Sequence, residues 1–232
     1  MKTIGLIGGM SWESTIEYYR IINELVSKRL GGLNSGKILL YSVNFQEIAD
    51  LQHENKWDEL TEIMIDIAQK LEKAGADVVL ICTNTMHKMA DEVQKSINIP
   101  LLNIIDVTAE KIKEMGLKKV GLLGTKFTME DDFYKGRLKR KHGIDVLIPD
   151  EEGRQIVHDV IYNELCKGRI KEFSKEKFKR IIADLASKGA EGVILGCTEI
   201  PLLIKQEDCD IPIFDTTMIH AEAAVNFALG EK

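Results

Sequence analysis

The stretch Gly75-Ala-Asp-Val-Val-Leu-Ile-Cys-Thr-Asn84 returns 114 residues later as Gly189-Ala-Glu-Gly-Val-Ile-Leu-Gly-Cys-Thr198. In each copy a glycine and an acidic residue lead into a short apolar run that ends on small polar side chains. A run of that length, rich in β-branched residues and bounded by turn formers, reads as a buried strand. Two further pairs extend the repetition in the same order. Lys2-Thr-Ile-Gly-Leu-Ile-Gly-Gly9 resembles Lys118-Lys-Val-Gly-Leu-Leu-Gly-Thr125, and Ile99-Pro-Leu-Leu-Asn103 resembles Ile211-Pro-Ile-Phe-Asp215, at offsets of 116 and 112 residues. Buried strands of α/β proteins look alike in general, but that does not explain three ordered matches at nearly one offset. The chain is read as two copies of one unit.

Between the apolar runs lie amphipathic stretches. Ile4 to Ile7, Ile38 to Val43, Val78 to Cys82, Val120 to Leu123, Val146 to Ile148 and Val193 to Leu195 are expected strands. Trp12 to Leu30, Trp57 to Lys73, Thr128 to Lys141, Ile156 to Cys166 and Lys175 to Ser187 are expected helices, with Ser11 capping the first and Gly31-Gly32 ending it. Such alternation means an α/β fold with mostly parallel sheets covered on both faces. The repetition divides it into two similar α/β domains, residues 1–98 with 211–232 and residues 99–210, with no Pro/Gly/Ser-rich linker between them. Open α/β sheets bind ligands beyond the carboxyl ends of their strands, so a cleft between two such domains is the expected site.

Composition narrows the function. The 232 residues are 44% apolar and 29% charged, an ordinary globular balance. A net charge of -6 argues against a nucleic-acid surface, which needs a basic patch. No apolar run approaches the ~20 residues that span a bilayer, and the chain opens on a strand-like run rather than a signal-peptide pattern. A cytoplasmic, reducing location is expected. Cys82, Cys166, Cys197 and Cys209 lack zinc-ligand spacing, so neither a metal site nor a disulfide framework is expected.

Laying one copy on the other without a gap places Thr83 on Cys197, Asn84 on Thr198 and Thr85 on Glu199. Cys82 is one residue out of register, and a one-residue slip turns a strand side chain to the opposite face. Thr83 and Cys197 are therefore expected at equivalent sites, with Cys82 in the core behind. Two acid/base groups on opposite sides of one carbon are what inversion of a stereocentre needs. A thiol suits the task because nearby donors readily lower its pKa, and Cys197 is expected as a thiolate favoured by free backbone N–H groups at a following helix. Thr83 is the poorer base, so it would donate or shuttle a proton.

Each assignment has a plainer counterpart. A lone Cys after a buried strand is commonly a packed small residue, and that reading is kept for Cys82, Cys166 and Cys209. Thr83 could be a buried or capping hydroxyl, His87 a satisfied structural histidine, and Asp106 and Asp215 helix caps. Gly8-Gly9-Met10 permits close approach of backbone to ligand but lacks the GxGxxG spacing of a nucleotide site. Gly124 and Thr125 occupy the mirrored loop.

These residues carry a resemblance. Ile4-Gly-Leu-Ile-Gly-Gly-Met10, Cys82-Thr-Asn-Thr-Met-His87 and Gly196-Cys-Thr-Glu-Ile200 resemble the aspartate/glutamate racemase family across the whole chain. Gly8-Gly-Met-Ser-Trp-Glu-Ser-Thr15, Thr128-Met-Glu130 and Ile219-His-Ala-Glu222 are similar to its enterobacterial aspartate/glutamate-specific or broad-specificity branch. The resemblance implies two flavodoxin-like three-layer α/β/α domains related by a pseudo-twofold axis. It further implies a homodimer, no pyridoxal phosphate or other cofactor, and a two-base mechanism with Thr83 and Cys197 as the pair. Substrate contacts would come from Met10, Gln52, Thr83, Asn84, Thr85, Thr198 and Glu199, and the place of Thr125 in the mirrored loop adds it as a further contact. The sequence departs from typical aspartate racemases twice. Val43 to Gln52 lacks their arginine, and Cys166 stands where they carry a lysine, with Lys167 one residue late. Losing those cations makes neutral amino acids such as homoserine credible beside aspartate and glutamate. A cleft-cysteine isomerase or decarboxylase of small diacids, or a non-catalytic amino-acid-binding protein, are the alternatives.

Overall fold

The computed structural model describes residues 1–231. The chain forms two compact units, one of residues 1–104 with the segment from His220 onward, the other of residues 105–219. The first contains β1 (Ile4–Gly8), α1 (Trp12–Leu30), β2 (Ile38–Ser42), α2 (Phe45–His53), α3 (Trp57–Lys73), β3 (Val78–Ile81), a 3₁₀ turn over Thr85–Met89, and α4 (Ala90–Lys95). Its strands are parallel in the order β2-β1-β3, and a single parallel bridge between Val79 and Leu101 supplies a fourth position. Alternation along the strands splits the core in two. Ile4, Leu6, Val78, Leu80 and Cys82 pack with Tyr18, Ile22 and Val26 of α1. Ile7, Val79 and Ile81 face Leu60, Met64 and Ile67 of α3. The unit is thus a three-layer sandwich, with Cys82 in its core as expected.

Helix α5 (Ile104–Glu114) leads into the second unit, which contains β4 (Lys119–Gly124), α6 (Lys126–Glu130), α7 (Asp132–His142), β5 (Asp145–Leu147), α8 (Glu151–Asn163), a 3₁₀ turn over Leu165–Lys167, α9 (Glu172–Ser187), β6 (Val193–Gly196), α10 (Ile200–Leu203), a 3₁₀ turn over Gln206–Asp208, and β7 (Ile213–Asp215). Its sheet is parallel, in the order β5-β4-β6-β7. Helix α11 (Thr216–Leu229) ends in the first unit.

The duplication recurs in individual contacts. Gly75 and Gly189 both sit in the left-handed region, at φ of 97° and 96°, which only glycine adopts without strain. The next N–H groups, of Ala76 and Ala190, each donate at 3.0 Å to a helix carbonyl, Leu71 and Leu185. The Asp77 carboxylate accepts from Thr3 N–H and Glu191 accepts from Lys119 N–H, at 2.6 and 2.9 Å. Gln94 and Gln206 form matching latches. Their Oε1 atoms accept the N–H of Leu101 and Ile213 (2.7 and 3.0 Å), and their Nε2 atoms donate to Ile99 and Ile211 (3.1 Å each).

Three expectations need correction. Ile211–Asp215 joins the second unit as β7, with Val193 N–H donating to Pro212 O at 2.8 Å. The boundaries therefore fall at 104 and 220 rather than 98 and 211, following the repeat itself. The helix expected over Thr128 to Lys141 is two helices, broken at Asp131, whose backbone is extended. Helix α8 begins near Asp150, whose carboxylate accepts Gly153 N–H at 2.8 Å. It stops at Asn163, which leaves Cys166 and Lys167 in the separate 3₁₀ turn.

Candidate active site

Strand β6 ends at Gly196, paired with Gly124 at the end of β4. A side chain at Gly196 would stand 2.7 Å from Leu123 O, and one at Gly124 would stand 2.8 Å from Gly196 O. Only glycine allows this approach, and the residues that follow are set beside each other by it. Cys197 is 8% exposed, and Thr198, Glu199 and Thr125 are buried. The Cys197 thiol donates to Glu199 Oε2 at 2.8 Å, and the Thr198 hydroxyl donates to the same oxygen at 3.2 Å. Thr125 caps α6, its Oγ1 accepting Thr128 N–H at 3.3 Å.

The charge state of Cys197 differs from the sequence expectation. Burial, and then the Glu199 charge, push its pKa well above that of an ordinary thiol, so it rests as a thiol. The helix after it cannot supply the expected donors. Helix α10 spans four residues, and its N–H groups at Ile200 and Leu202 are spent on the carbonyls of Cys197 and Glu199 at 3.0 Å each.

Two nearby side chains went unread in the sequence. Tyr162 on α8 is raised in pKa by burial and then by its neighbours Cys197, Cys166 and Glu199. His158, one turn earlier, lies with its ring 4.8 Å from that of Tyr162, and its Nδ1 accepts Lys126 N–H at 3.2 Å. The signal was the four-residue spacing of His158 and Tyr162, which sets both on one face of α8. Lys167 is exposed whereas Cys166 is half-buried.

In the first unit, Cys82 N–H still donates to Ile7 O at 2.9 Å, so Thr83 is the first residue past the ladder. Thr83 is half-buried, while Asn84 and Thr85 are buried. The thiol of Cys82 is raised in pKa by burial alone, as befits a packed side chain. Gly8-Gly9 closes β1 next door. Gly9 N–H donates to Thr15 Oγ1 at 2.8 Å, and that hydroxyl donates to Ser11 O at 2.7 Å, which ties the loop carrying Met10 to α1. Met10 packs with Met86 in the core. Gln52 is buried, its Nε2 donating to Met86 Sδ at 3.2 Å. Each unit thus gathers its expected residues at the carboxyl ends of its own two central strands: Met10 and Thr83–Thr85 in one, Thr125 and Cys197–Glu199 in the other. Among the described residues, no three His, Cys, Asp or Glu side chains gather to hold a metal ion, and no helix is long and apolar enough to cross a membrane.

Comparison with known proteins accords with this geometry. The family described as Asp/Glu/Hydantoin racemase matches residues 7–224. The broad specificity amino-acid racemase RacX of Bacillus subtilis is 26% identical over 226 residues, 96% of each chain. Among solved structures, an aspartate racemase homologue from Pyrococcus horikoshii is 40% identical with a TM-score of 0.85, covering 99% of this chain and 100% of that one. The aspartate racemase of Picrophilus torridus is 25% identical with a TM-score of 0.79, covering 100% of this chain and 96% of that one. A duplicated parallel α/β fold, cysteine and threonine at matching strand ends and a match across nearly the whole length lead to one conclusion: this chain belongs to the Asp/Glu/hydantoin racemase family.

Proposed function

We propose that this protein is a cofactor-independent amino-acid racemase in which Cys197 and Thr83 exchange protons with the substrate Cα. The observation that carries the reading is the buried thiol of Cys197 held 2.8 Å from the Glu199 carboxylate at a strand end. Glu199 can take the thiol proton, and the thiolate so formed removes the Cα proton. In the reverse direction the thiol returns it. Thr83 serves the other face, donating its hydroxyl proton to Cα and regaining from solvent the proton that Glu199 gives up, with its half-buried position giving access; in the reverse direction it loses that proton to solvent and takes the one on Cα. The side chains of Asn84, Thr85, Thr125 and Thr198 suit binding of the substrate carboxylate and the charge that spreads from Cα. Met10 and Gln52 complete the contact set.

A broad substrate range that includes neutral side chains fits best. The departure of Lys167 to the surface leaves Cys166, Tyr162 and Glu199 beside Cys197, a poor setting for a second substrate carboxylate. The name of the Bacillus subtilis relative supports the same range. Homoserine, aspartate and glutamate head the panel to test.

The test is Cα deuterium exchange in deuterium oxide with a panel of L- and D-amino acids and no added cofactor. Exchange with formation of the opposite enantiomer is expected, and Cys197→Ala should abolish both. A fully active Cys197→Ala enzyme would remove the assignment. Turnover of small diacids alone would favour an isomerase or decarboxylase, and tight binding without exchange a binding protein.

A further inference from the structure

We infer that His87 is the positioning residue for Thr83, holding that residue's backbone so that its hydroxyl is presented to substrate; this rests on the reading of Thr83 given above. His87 is buried. Its Nδ1 lies 2.8 Å from Thr83 O, a pure acceptor, so Nδ1 carries the proton. Its Nε2 accepts Ile104 N–H at 3.1 Å, at the start of α5. One donor and one acceptor on opposite sides of the ring fix a single neutral tautomer. Thr83 is thereby gripped from both sides, since its own N–H donates to Ile81 O at 2.8 Å.

The other copy of the repeat shows why a side chain is used here. The residue matching His87 in the second unit is Pro201, which has no donor to offer. There the carbonyl of Cys197 is held by the main chain, Ile200 N–H donating at 3.0 Å. In the first unit the residue matching Ile200 is Met86, and the donor that reaches Thr83 O is the imidazole. The two halves solve one problem, immobilising the carbonyl of the acid/base residue, by different means. A second histidine backs the first. His220 stacks edge-on against His87 at 5.7 Å, donates through Nε2 to Leu102 O (2.8 Å) and accepts from the Tyr18 hydroxyl at Nδ1 (2.9 Å). Burial and then the His87 neighbour push its pKa down to about 3, so it remains neutral packing behind the ring.

The experiment separates the two ring nitrogens and asks whether His87 acts through Thr83. His87→Asn places an amide N–H where Nδ1 stands and keeps the bond to Thr83 O. His87→Gln reaches toward Ile104 instead. We expect His87→Asn within about threefold of wild-type kcat, and His87→Gln lower by about tenfold or more with KM little changed. In a Thr83→Ala background the His87→Gln change should cause no further loss, because residues acting as one unit are non-additive. Thermal unfolding midpoints of all variants accompany the rates. A His87→Gln enzyme with wild-type kcat, or an equal loss with and without Thr83, overturns the inference while leaving Thr83 in its role. A fully active Thr83→Ala enzyme overturns both.

Discussion

A buried thiol beside a buried carboxylate is a proton store rather than a ready nucleophile. The Cys197 thiol holds its proton 2.8 Å from Glu199 Oε2, and burial disfavours a charge on the sulfur. Reagents that attack thiolates should therefore be slow at neutral pH. Glu199→Gln removes the neighbouring negative charge, which moves the Cys197 pKa back down, so iodoacetamide labelling at pH 8 should accelerate several-fold while racemisation falls by about 100-fold or more. Labelling that slows in this variant would show that the Glu199 charge is not what holds the resting Cys197 pKa up. Cys82→Ala should leave kcat within about twofold, at a stability cost of about 1 kcal/mol for the lost core packing, read by denaturant titration. At this scale the sequence singled out Thr83 and Cys197 by registering one copy on the other, and the structure sets each just past the end of its strand. The sequence did not disclose their ionisation, because desolvation depends on what the rest of the chain stacks around a site. Tyr162 stayed hidden for the same reason, being a helix residue whose proximity to Cys197 is created by packing.

Elements were legible in proportion to the strength of their periodicity. Helices α1 and α3, with long amphipathic patterns, were expected over the residues they occupy. Asp131 interrupts the next pattern without any Gly or Pro to announce it, and Asp150 starts α8 a full turn before its first apolar residue. Asp106, expected as a cap, instead lies within α5 and locks it to α7. It accepts from Arg137 Nε (2.8 Å) and Nη2 (2.7 Å), from Lys141 (2.6 Å) and from His142 Nε2 (2.8 Å). Burial alone would raise the Asp106 pKa, but these hydrogen bonds, led by that from Arg137, hold it below the usual carboxylate range. A carboxyl depressed in the folded state stabilises above its unfolded pKa, near 3.9, and loses that contribution as pH falls through the folded value. Asp106→Asn should cost about 1–2 kcal/mol at pH 7, a figure reduced by solvent screening of this partly exposed cluster. The difference from wild type should shrink below about pH 4, as followed by urea melts across pH. A constant difference down to pH 2 would assign the loss to packing instead.

For the whole molecule, duplication was the most legible feature, and the fourth strand position was the least. The segments Ile99–Asn103 and Ile211–Asp215 looked alike, yet one makes a single bridge and the other a full strand. Each is clasped by a glutamine, Gln94 or Gln206, whose match escaped notice because the residues around the two glutamines differ. Gln94→Ala and Gln206→Ala should each cost roughly 1–2 kcal/mol. Amide hydrogen exchange should quicken at Leu101 in the first variant and at Ile213 in the second, with the segment in the other unit unaffected. Loss of protection in both units from either change would mean that the two do not open independently.

Unlike side chains at the two equivalent strand ends also have a thermodynamic corollary. Mirror-image amino acids have equal free energies in water, so the equilibrium ratio of product to substrate is unity whatever the enzyme supplies. Microscopic reversibility then forces kcat/KM to be the same for both enantiomers. If the hydroxyl and the thiol act as proposed, they make one direction faster at saturation only when the favoured enantiomer is also the more weakly held, in the same proportion.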